Sequence, residues 1–277
     1  IYMGLTTLII AVMWDRIDEP VRLLAGRAFI LVCMGLVITL YRMAPSRATL
    51  FLRVLYQCGL LAYWYPDTYE INRIFPNLDH YFAAAEDAIF GCQPFPQALH
   101  TVGWSEAFNL GYFSYYPMIV TVVFFTLFCC YRRFEKSTFI IVCSFFLYYT
   151  IYILLPVTGP QYYFQAVGEV TVQAHVFPDV GHYFNSHHDL LPSPSPGGFF
   201  YDLVEQTQES GERPTAAFPS SHVGISTILM ILSWRTSRRL FFVLTPFYVL
   251  LCGATVYIQA HYLIDAIAGL LTAPLFY

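Results

Sequence analysis

Long apolar runs dominate this chain: residues 1–14, 22–41, 48–64, 108–131, 137–157, 220–235, 239–257 and 261–277 carry few charges. A helix needs about 20 apolar residues to cross the hydrocarbon layer, and only helices or closed barrels satisfy their backbone there. The runs therefore predict an all-α integral membrane protein with about eight transmembrane helices. Composition agrees, with 57% of the 277 residues hydrophobic and 12% charged, about half the charged share of a soluble domain. The opening run has no basic stretch ahead of it and no small-residue cleavage site, so it reads as a short span rather than a signal peptide. Arg27 and Arg53 fall inside runs near their ends, where long side chains are expected to reach back to the headgroups.

Cytoplasmic connections collect Lys and Arg. Three basic clusters, around Arg42, Arg47 and Arg53, around Arg132, Arg133 and Lys136, and around Arg235, Arg238 and Arg239, fall on one side of eight crossings. That side reads as cytoplasmic. The extracytoplasmic face then carries 65–107 and 158–219, whose acids, including Asp67, Asp79, Glu86, Glu209 and Glu212, are expected to face solvent. Within the first loop, the apolar stretch 81–90 between Pro76 and Pro94 predicts a short helix on the membrane surface. The second, with Pro192, Pro194, Pro196, Gly197 and Gly198, predicts an irregular lid. The chain thus divides into N-terminal spans (1–64), an outer loop (65–107) and a unit 108–277 that includes the loop 158–219. A net charge of −4 offers no basic face for nucleic acid. Cys33, Cys58, Cys129, Cys130, Cys143 and Cys252 lie in apolar runs and Cys92 alone in a polar loop, which predicts neither a disulfide framework nor a metal site.

Chemistry concentrates in two segments. Pro219-Ser220-Ser221-His222 stands where the second outer loop enters a span. Proline followed by serines signals a helix start, and the free N–H groups of a first turn, with the Ser220 and Ser221 hydroxyls, suit a phosphate oxygen. An ordinary cap beside an interfacial histidine would use the same residues. On the same face, His261-Tyr262-Leu263-Ile264-Asp265 opens the last run. His261 and Asp265, four apart, share one side of a helix, so the carboxylate can hold the imidazole in one tautomer and raise its basicity. A nucleophilic or general-base histidine requires that pairing. Two loops therefore bring two histidines to one face, as proton-transfer or nucleophilic groups.

The two segments resemble the motifs of the type 2 phosphatidic acid phosphatase superfamily, Pro-Ser-x-His before one helix and His-x-x-x-Asp at the start of a later one. The resemblance spans about residues 108–277 and implies a six-helix catalytic core of that type. It further implies that His261 attacks phosphorus to form a phosphohistidine, that Asp265 orients it, and that His222 protonates the leaving oxygen, without metal or organic cofactor. Two family positions differ. Thr255 stands where an arginine usually precedes the later histidine by six residues, and Leu155 to Tyr163 replace a motif of lysine with Arg-Pro. In this the chain is similar to the inositol phosphorylceramide synthases and, more distantly, the sphingomyelin synthases, which move a phospho-head-group between lipids. A phosphodiester carries one negative charge and needs fewer cations than a nearly dianionic phosphomonoester. The expected reaction is transfer from a phospholipid donor to a lipid hydroxyl. The rival enzyme is a lipid phosphate phosphatase with water as acceptor. The rival from another class is a lipid transporter, which would carry ionisable groups at mid-depth of several spans.

Arg213, nine residues before His222, is the candidate for holding a nonbridging oxygen or an anionic head group; its bland alternative is a solvated pair with Glu212 or Glu209. Gln161, Tyr162 and Tyr163 are further hydrogen-bond candidates, although interfacial tyrosines usually anchor. His187-His188-Asp189 suggests a metal by composition, but adjacent side chains point apart and no second ligand pair follows, so none is expected. His80, His100, His175 and His182 are assigned no role.

Overall fold

The computed structural model describes residues 1–91, 99–193 and 195–277, the side chains of 209 and 210 excepted. Cys92, Pro94, Pro194 and the Glu209 side chain, all used above, lie outside the described residues. Helices form throughout, and no strand occurs among the described residues. Near the N-terminus stand α1 (Tyr2–Val12), α2 (Pro20–Met43) and α3 (Arg47–Asn72). The first outer segment holds α4 (Asp79–Phe90), followed by α5 (Val102–Phe113), α6 (Tyr115–Cys129) and α7 (Tyr131–Leu154). The second holds α8 (Pro160–Val167), α9 (Glu169–Gln173) and α10 (Phe199–Gly211), and α11 (Ser221–Thr236), α12 (Arg238–Tyr257) and α13 (Leu263–Phe276) close the chain.

Four stretches are long and apolar enough to cross a membrane: Pro20–Met43, the nearly continuous Val102–Cys129, Tyr131–Leu154 and Arg238–Tyr257. α1 and α13 are apolar but shorter. α11 is the hub, packing against α6, α7, α12 and α13, while α3 lies on α7 and α5 on α12. Hydroxyl caps start several of these helices: Ser46 accepts from the amide of Thr49, Thr101 from Trp104, Ser220 from Val223 and Ser237 from Leu240. The three basic clusters share one end of the helices. Arg47 sits 4.5 Å from the Tyr131 ring centre, Arg53 meets Glu135 at 2.7 Å, and Arg133 donates to the carbonyl of Arg235.

Three expectations need correction. α3 does not stop at residue 64 but runs through Pro66 to Asn72, which carries Asp67 inside the protein. There Asp67 takes both guanidinium nitrogens of Arg27, at 2.9 and 2.7 Å, and both side chains are buried. Arg27 therefore satisfies its charge internally rather than reaching for headgroups, because a carboxylate on the neighbouring helix matches its fork. The loop 158–219 is not simply irregular, since three helices form within it and α10 packs against α5. Glu106 of α5 accepts from the amides of Phe200 and Tyr201, which fixes the start of α10. Finally, Asp79 and Glu86 of α4 do not face solvent. Both are buried, and each holds backbone of another segment.

Those two carboxylates explain why α4 matters. Asp79 accepts from the amides of Thr158 and Gly159, at 2.6 and 2.9 Å, and from the hydroxyl of Tyr262 at 3.0 Å. Glu86 accepts from the amides of Leu263 and Ile264, at 3.0 and 3.1 Å, and so caps α13 from outside. Burial pushes both carboxyls above the ordinary range, and the donated N–H bonds pull the other way. α4 thereby ties the turn before α8 to the turn before α13. At that first turn Gly159 has φ 95°, and a Cβ there would come 2.5 Å from the carbonyl oxygen of Ala260, so a side chain would push the two turns apart.

Candidate active site

His222 sits in the first turn of α11 and His261 in the turn between α12 and α13. One backbone link joins the first of these turns to the start of α13, and a second braces it against the segment before α8. The amide of Ser220 donates to the carbonyl of Asp265 at 3.0 Å, and the amide of Ala217 to the carbonyl of Val157 at 3.0 Å. Each histidine loop contains a left-handed residue that is not glycine, Ala216 (φ 72°) and Gln259 (φ 61°). Such conformations cost on the order of 1 kcal/mol or more, and persist where surrounding bonds dictate them.

The result is a facing pair of imidazoles. His261 is buried, its Nδ1 lies 2.8 Å from the carbonyl oxygen of Ala217, and its Nε2 lies 3.4 Å from Nδ1 of His222. A carbonyl only accepts, so Nδ1 of His261 carries the proton and Nε2 presents a lone pair. His222 is held between two rings of the α5–α6 junction, stacked on Tyr112 with centroids 4.7 Å apart and tilted on Tyr115 at 4.4 Å. Asp265 Oδ2 lies 3.8 Å from His261 Nδ1 and accepts from the amide of Tyr262 at 2.9 Å. The direct partner of His261 is thus a main-chain carbonyl, with the carboxylate behind it.

The amides at the start of α11 are mostly engaged within the protein. Ser220 donates to Asp265, Ser221 donates to the Tyr152 hydroxyl at 3.0 Å, and Val223 donates to the Ser220 hydroxyl at 3.4 Å. Ser220 is fully buried as the helix cap, whereas Ser221 reaches the cavity wall.

Both histidines line a cavity of about 630 Å³. Its charged walls are Arg213 and Glu212, and the rest is largely aromatic and apolar, including Tyr65, Tyr116, Ile119, Phe145 and Tyr149. Ile141, Phe145 and Tyr149 follow one another at helical spacing on α7, as do Cys58, Ala62 and Tyr65 on α3, so the cavity extends along both helices away from the histidines. Arg213 donates to the carbonyl of Glu212 at 3.2 Å and forms no ion pair among the described residues. Gln161 stands one layer back. Its Nε2 donates to Glu212 Oε1 at 3.1 Å, and its Oε1 accepts from Gln208 at 3.3 Å. Tyr162 and Tyr163 do not reach the cavity; they are buried in an aromatic cluster with Phe164 and Phe184, and the Tyr163 hydroxyl donates to the carbonyl of Pro178 at 2.8 Å. His187 stacks on Tyr183 while His188 bonds the Tyr69 hydroxyl at 2.9 Å, so the adjacent pair diverges.

Sequence reasoning missed Tyr112, Tyr115, Tyr152 and Glu212. The aromatic residues were indistinguishable from membrane anchors, and Glu212 from a solvated loop acid. Burial pushes the Glu212 carboxyl above its ordinary range, while the side-chain amides of Gln161 and Gln208 pull it down.

The arrangement is a helical membrane-type scaffold with two apposed histidines on the wall of a largely apolar cavity, the kind of concave site with convergent polar groups in which an active site is sought. A family model described as the PAP2 superfamily matches residues 82–277, and the chain belongs to that superfamily, whose members are phosphatases or phosphotransferases. No curated protein and no solved structure matches the chain.

Proposed function

We propose that the protein is an extracytoplasmic lipid phosphotransferase that moves a phospho-head-group through a phosphohistidine, as inositol phosphorylceramide synthases do. The observation that carries this reading is the lone pair of His261 Nε2 facing His222 at 3.4 Å, on the wall of a cavity with one arginine. His261 Nε2 attacks the phosphorus of a phosphodiester lipid. The bond from phosphorus to the lipid oxygen breaks, and His222 supplies the proton that oxygen takes up. The acceptor hydroxyl then gives its proton to His222 as its oxygen attacks phosphorus, the P–N bond breaks, and His261 is restored. Asp265 and the Ala217 carbonyl stabilise the positive charge that His261 develops. Arg213 and Ser221 are the substrate-binding candidates on the cavity wall, and Gln161 acts through Glu212.

A single guanidinium suits the single charge of a phosphodiester better than the near-double charge of a phosphomonoester. The proposed topology has eight spans and a six-helix catalytic core within 108–277, preceded by spans in 1–64 and the loop 65–107. Purified protein given phospholipids labelled at phosphorus, with a lipid alcohol as acceptor, tests this reading. Transfer of label to the acceptor through a species bound to His261 supports it; release of inorganic phosphate from a phosphomonoester without any lipid product overturns it in favour of hydrolysis.

A further inference from the structure

An acid must hold its proton until the leaving oxygen takes it, yet no negative charge is set against His222. Among the described residues no carboxylate forms an ion pair with it, and its hydrogen-bonding neighbour is Nε2 of His261 at 3.4 Å. Of the charged groups nearby, Glu212 is held by Gln161, Arg213 bonds the carbonyl of Glu212, and Asp265 stands behind His261. An imidazolium in a largely apolar cavity is costly unless something else favours its charge.

What lies against His222 is aromatic. The ring of Tyr112, in the last turn of α5, stacks on it with centroids 4.7 Å apart and planes 25° apart. Tyr115, the first residue of α6, lies at 4.4 Å and 45°. Both separations fall inside the distance of about 6 Å over which a ring face attracts a cation, an attraction that strengthens where water is excluded. The α5–α6 junction sets this geometry. The Ser114 hydroxyl donates to the carbonyl of Gly111 at 2.6 Å, which keeps the junction nearly helical and turns residues three apart to one side. Gly111 lies against α12, where a Cβ would come 2.6 Å from the carbonyl carbon of Leu250. Tyr115 also rests on Phe145, with 6.4 Å between ring centres. The Tyr115 hydroxyl is buried without a hydrogen-bond partner among the described residues, so the ring and not the hydroxyl accounts for its place.

We infer that Tyr112 and Tyr115 are positioning residues that keep His222 protonated, by presenting two ring faces to its imidazolium in place of a paired carboxylate. This rests on the acid role given to His222 above and supplies its physical basis. The two histidines then differ by their surroundings. The carbonyl of Ala217 leaves a lone pair on Nε2 of His261, and the two rings favour the charged form of His222. A carboxylate in the rings' place would hold the proton too, but its charge would repel the incoming phosphodiester, which an uncharged ring face does far less. The same faces stabilise the imidazolium that re-forms when the acceptor hydroxyl gives its proton to His222.

The test changes the charge distribution of the rings with little change of shape. Tyr112→Phe and Tyr115→Phe keep the ring face and should hold the first step within about twofold of wild type. Phenylalanines bearing one, two and three fluorines at either position draw electron density from the face. They should slow label uptake by the protein from a phosphorus-labelled phosphodiester lipid stepwise, by about tenfold or more at three fluorines, the scale of a desolvated cation–π contact. The burst of p-nitrophenol from a p-nitrophenyl phosphodiester, whose leaving group needs no proton, should stay level through the same series. Tyr112→Leu and Tyr115→Leu should give the same split between donors. Because each variant is judged by the ratio of two first-step rates, loss of folded protein lowers both and leaves the ratio intact. A flat ratio across the fluorinated series, or equal slowing of both donors, would make the tyrosines packing residues and overturn this inference alone. A wild-type ratio in His222→Ala would remove His222 from the acid role and overturn that reading together with this inference.

Discussion

The carbonyl oxygen of Ala217 accepts the Nδ1 proton of His261 at 2.8 Å, while the carboxylate of Asp265 stands 3.8 Å from the same nitrogen. One main-chain group, from the loop that leads into α11, therefore sets which nitrogen of His261 carries the proton and which keeps a free lone pair. The loop carrying one histidine thus fixes the tautomer of the other, and the two motifs function as a unit.

Removing either histidine should have different consequences. His261→Ala should abolish both turnover and phosphorus labelling of the protein. His222→Ala should slow turnover of alkyl donors by about 10² to 10⁴, the usual contribution of a general acid. A p-nitrophenyl phosphodiester, whose leaving group needs no proton, should recover much of the loss in the first step. Equal slowing of both donors in His222→Ala, followed by burst kinetics, would remove His222 from the acid role.

Asp265→Asn should lower kcat less than loss of His261, because Ala217 still fixes the tautomer. A contact to a charged group is worth about 1.5–3 kcal/mol, which corresponds to roughly 10- to 100-fold in rate. KM should change little. Unchanged kcat with a lowered melting temperature would make Asp265 a helix-start residue alone.

Gly269 of α13 offers a test remote from any reacting atom. A Cβ there would press into the carbonyl oxygen of Ser220 and lie 3.2 Å from the amide of Gly224, both backbone atoms of the turn bearing His222. Gly269→Ala should therefore cost about 1–3 kcal/mol of stability and displace His222, cutting activity further than the stability loss explains. At Gly253 the three atoms nearest the added carbon all belong to the ring of Phe108, the first at 2.8 Å, a side chain rather than backbone, and Gly253→Ala should be milder in thermal unfolding and turnover alike.

Glu86→Gln tests the clamp of α4 on α13. Glutamine offers one acceptor oxygen where the carboxylate offers two, and its amide would face a backbone N–H. The expected loss is about 1.5–3 kcal/mol, seen as a lower melting temperature in detergent micelles together with reduced activity. Glu135→Gln, which removes an exposed partner of Arg53 with 59% of its side chain accessible, should cost under about 1 kcal/mol.

Much of the site could be read from local pattern. Pro219, Ser220 and His222 announce a capped helix start, but the spacing of His261 and Asp265 does not put both on one helix face: α13 begins at Leu263, so only Asp265 is helical and His261 lies in the turn before it. Arg213 was legible as a cation near the motif. What stayed hidden were partners from distant segments: Tyr112 and Tyr115 against His222, Tyr152 on the amide of Ser221, and Glu86 on the amides of α13. Nothing in a tyrosine-rich apolar run distinguishes a ring that packs on a histidine from one that anchors at an interface. The same ambiguity made Tyr162 and Tyr163 look available to substrate when they are buried in a cluster behind the site.

The sequence by itself determined the helical class, the basic end of the bundle and the identity of the two histidine segments, because hydrophobic runs, charge clusters and helix caps are written in neighbouring residues. Only the tertiary structure decided that Asp67 neutralises Arg27, that Asp79 and Glu86 are buried clamps, and that His261 takes its tautomer from Ala217. Each of those is a bond between segments at least 40 residues apart. The physical reason is common to all of them. Burial makes an unpaired polar group expensive, and which partner relieves that cost depends on how the helices meet, which no local pattern records.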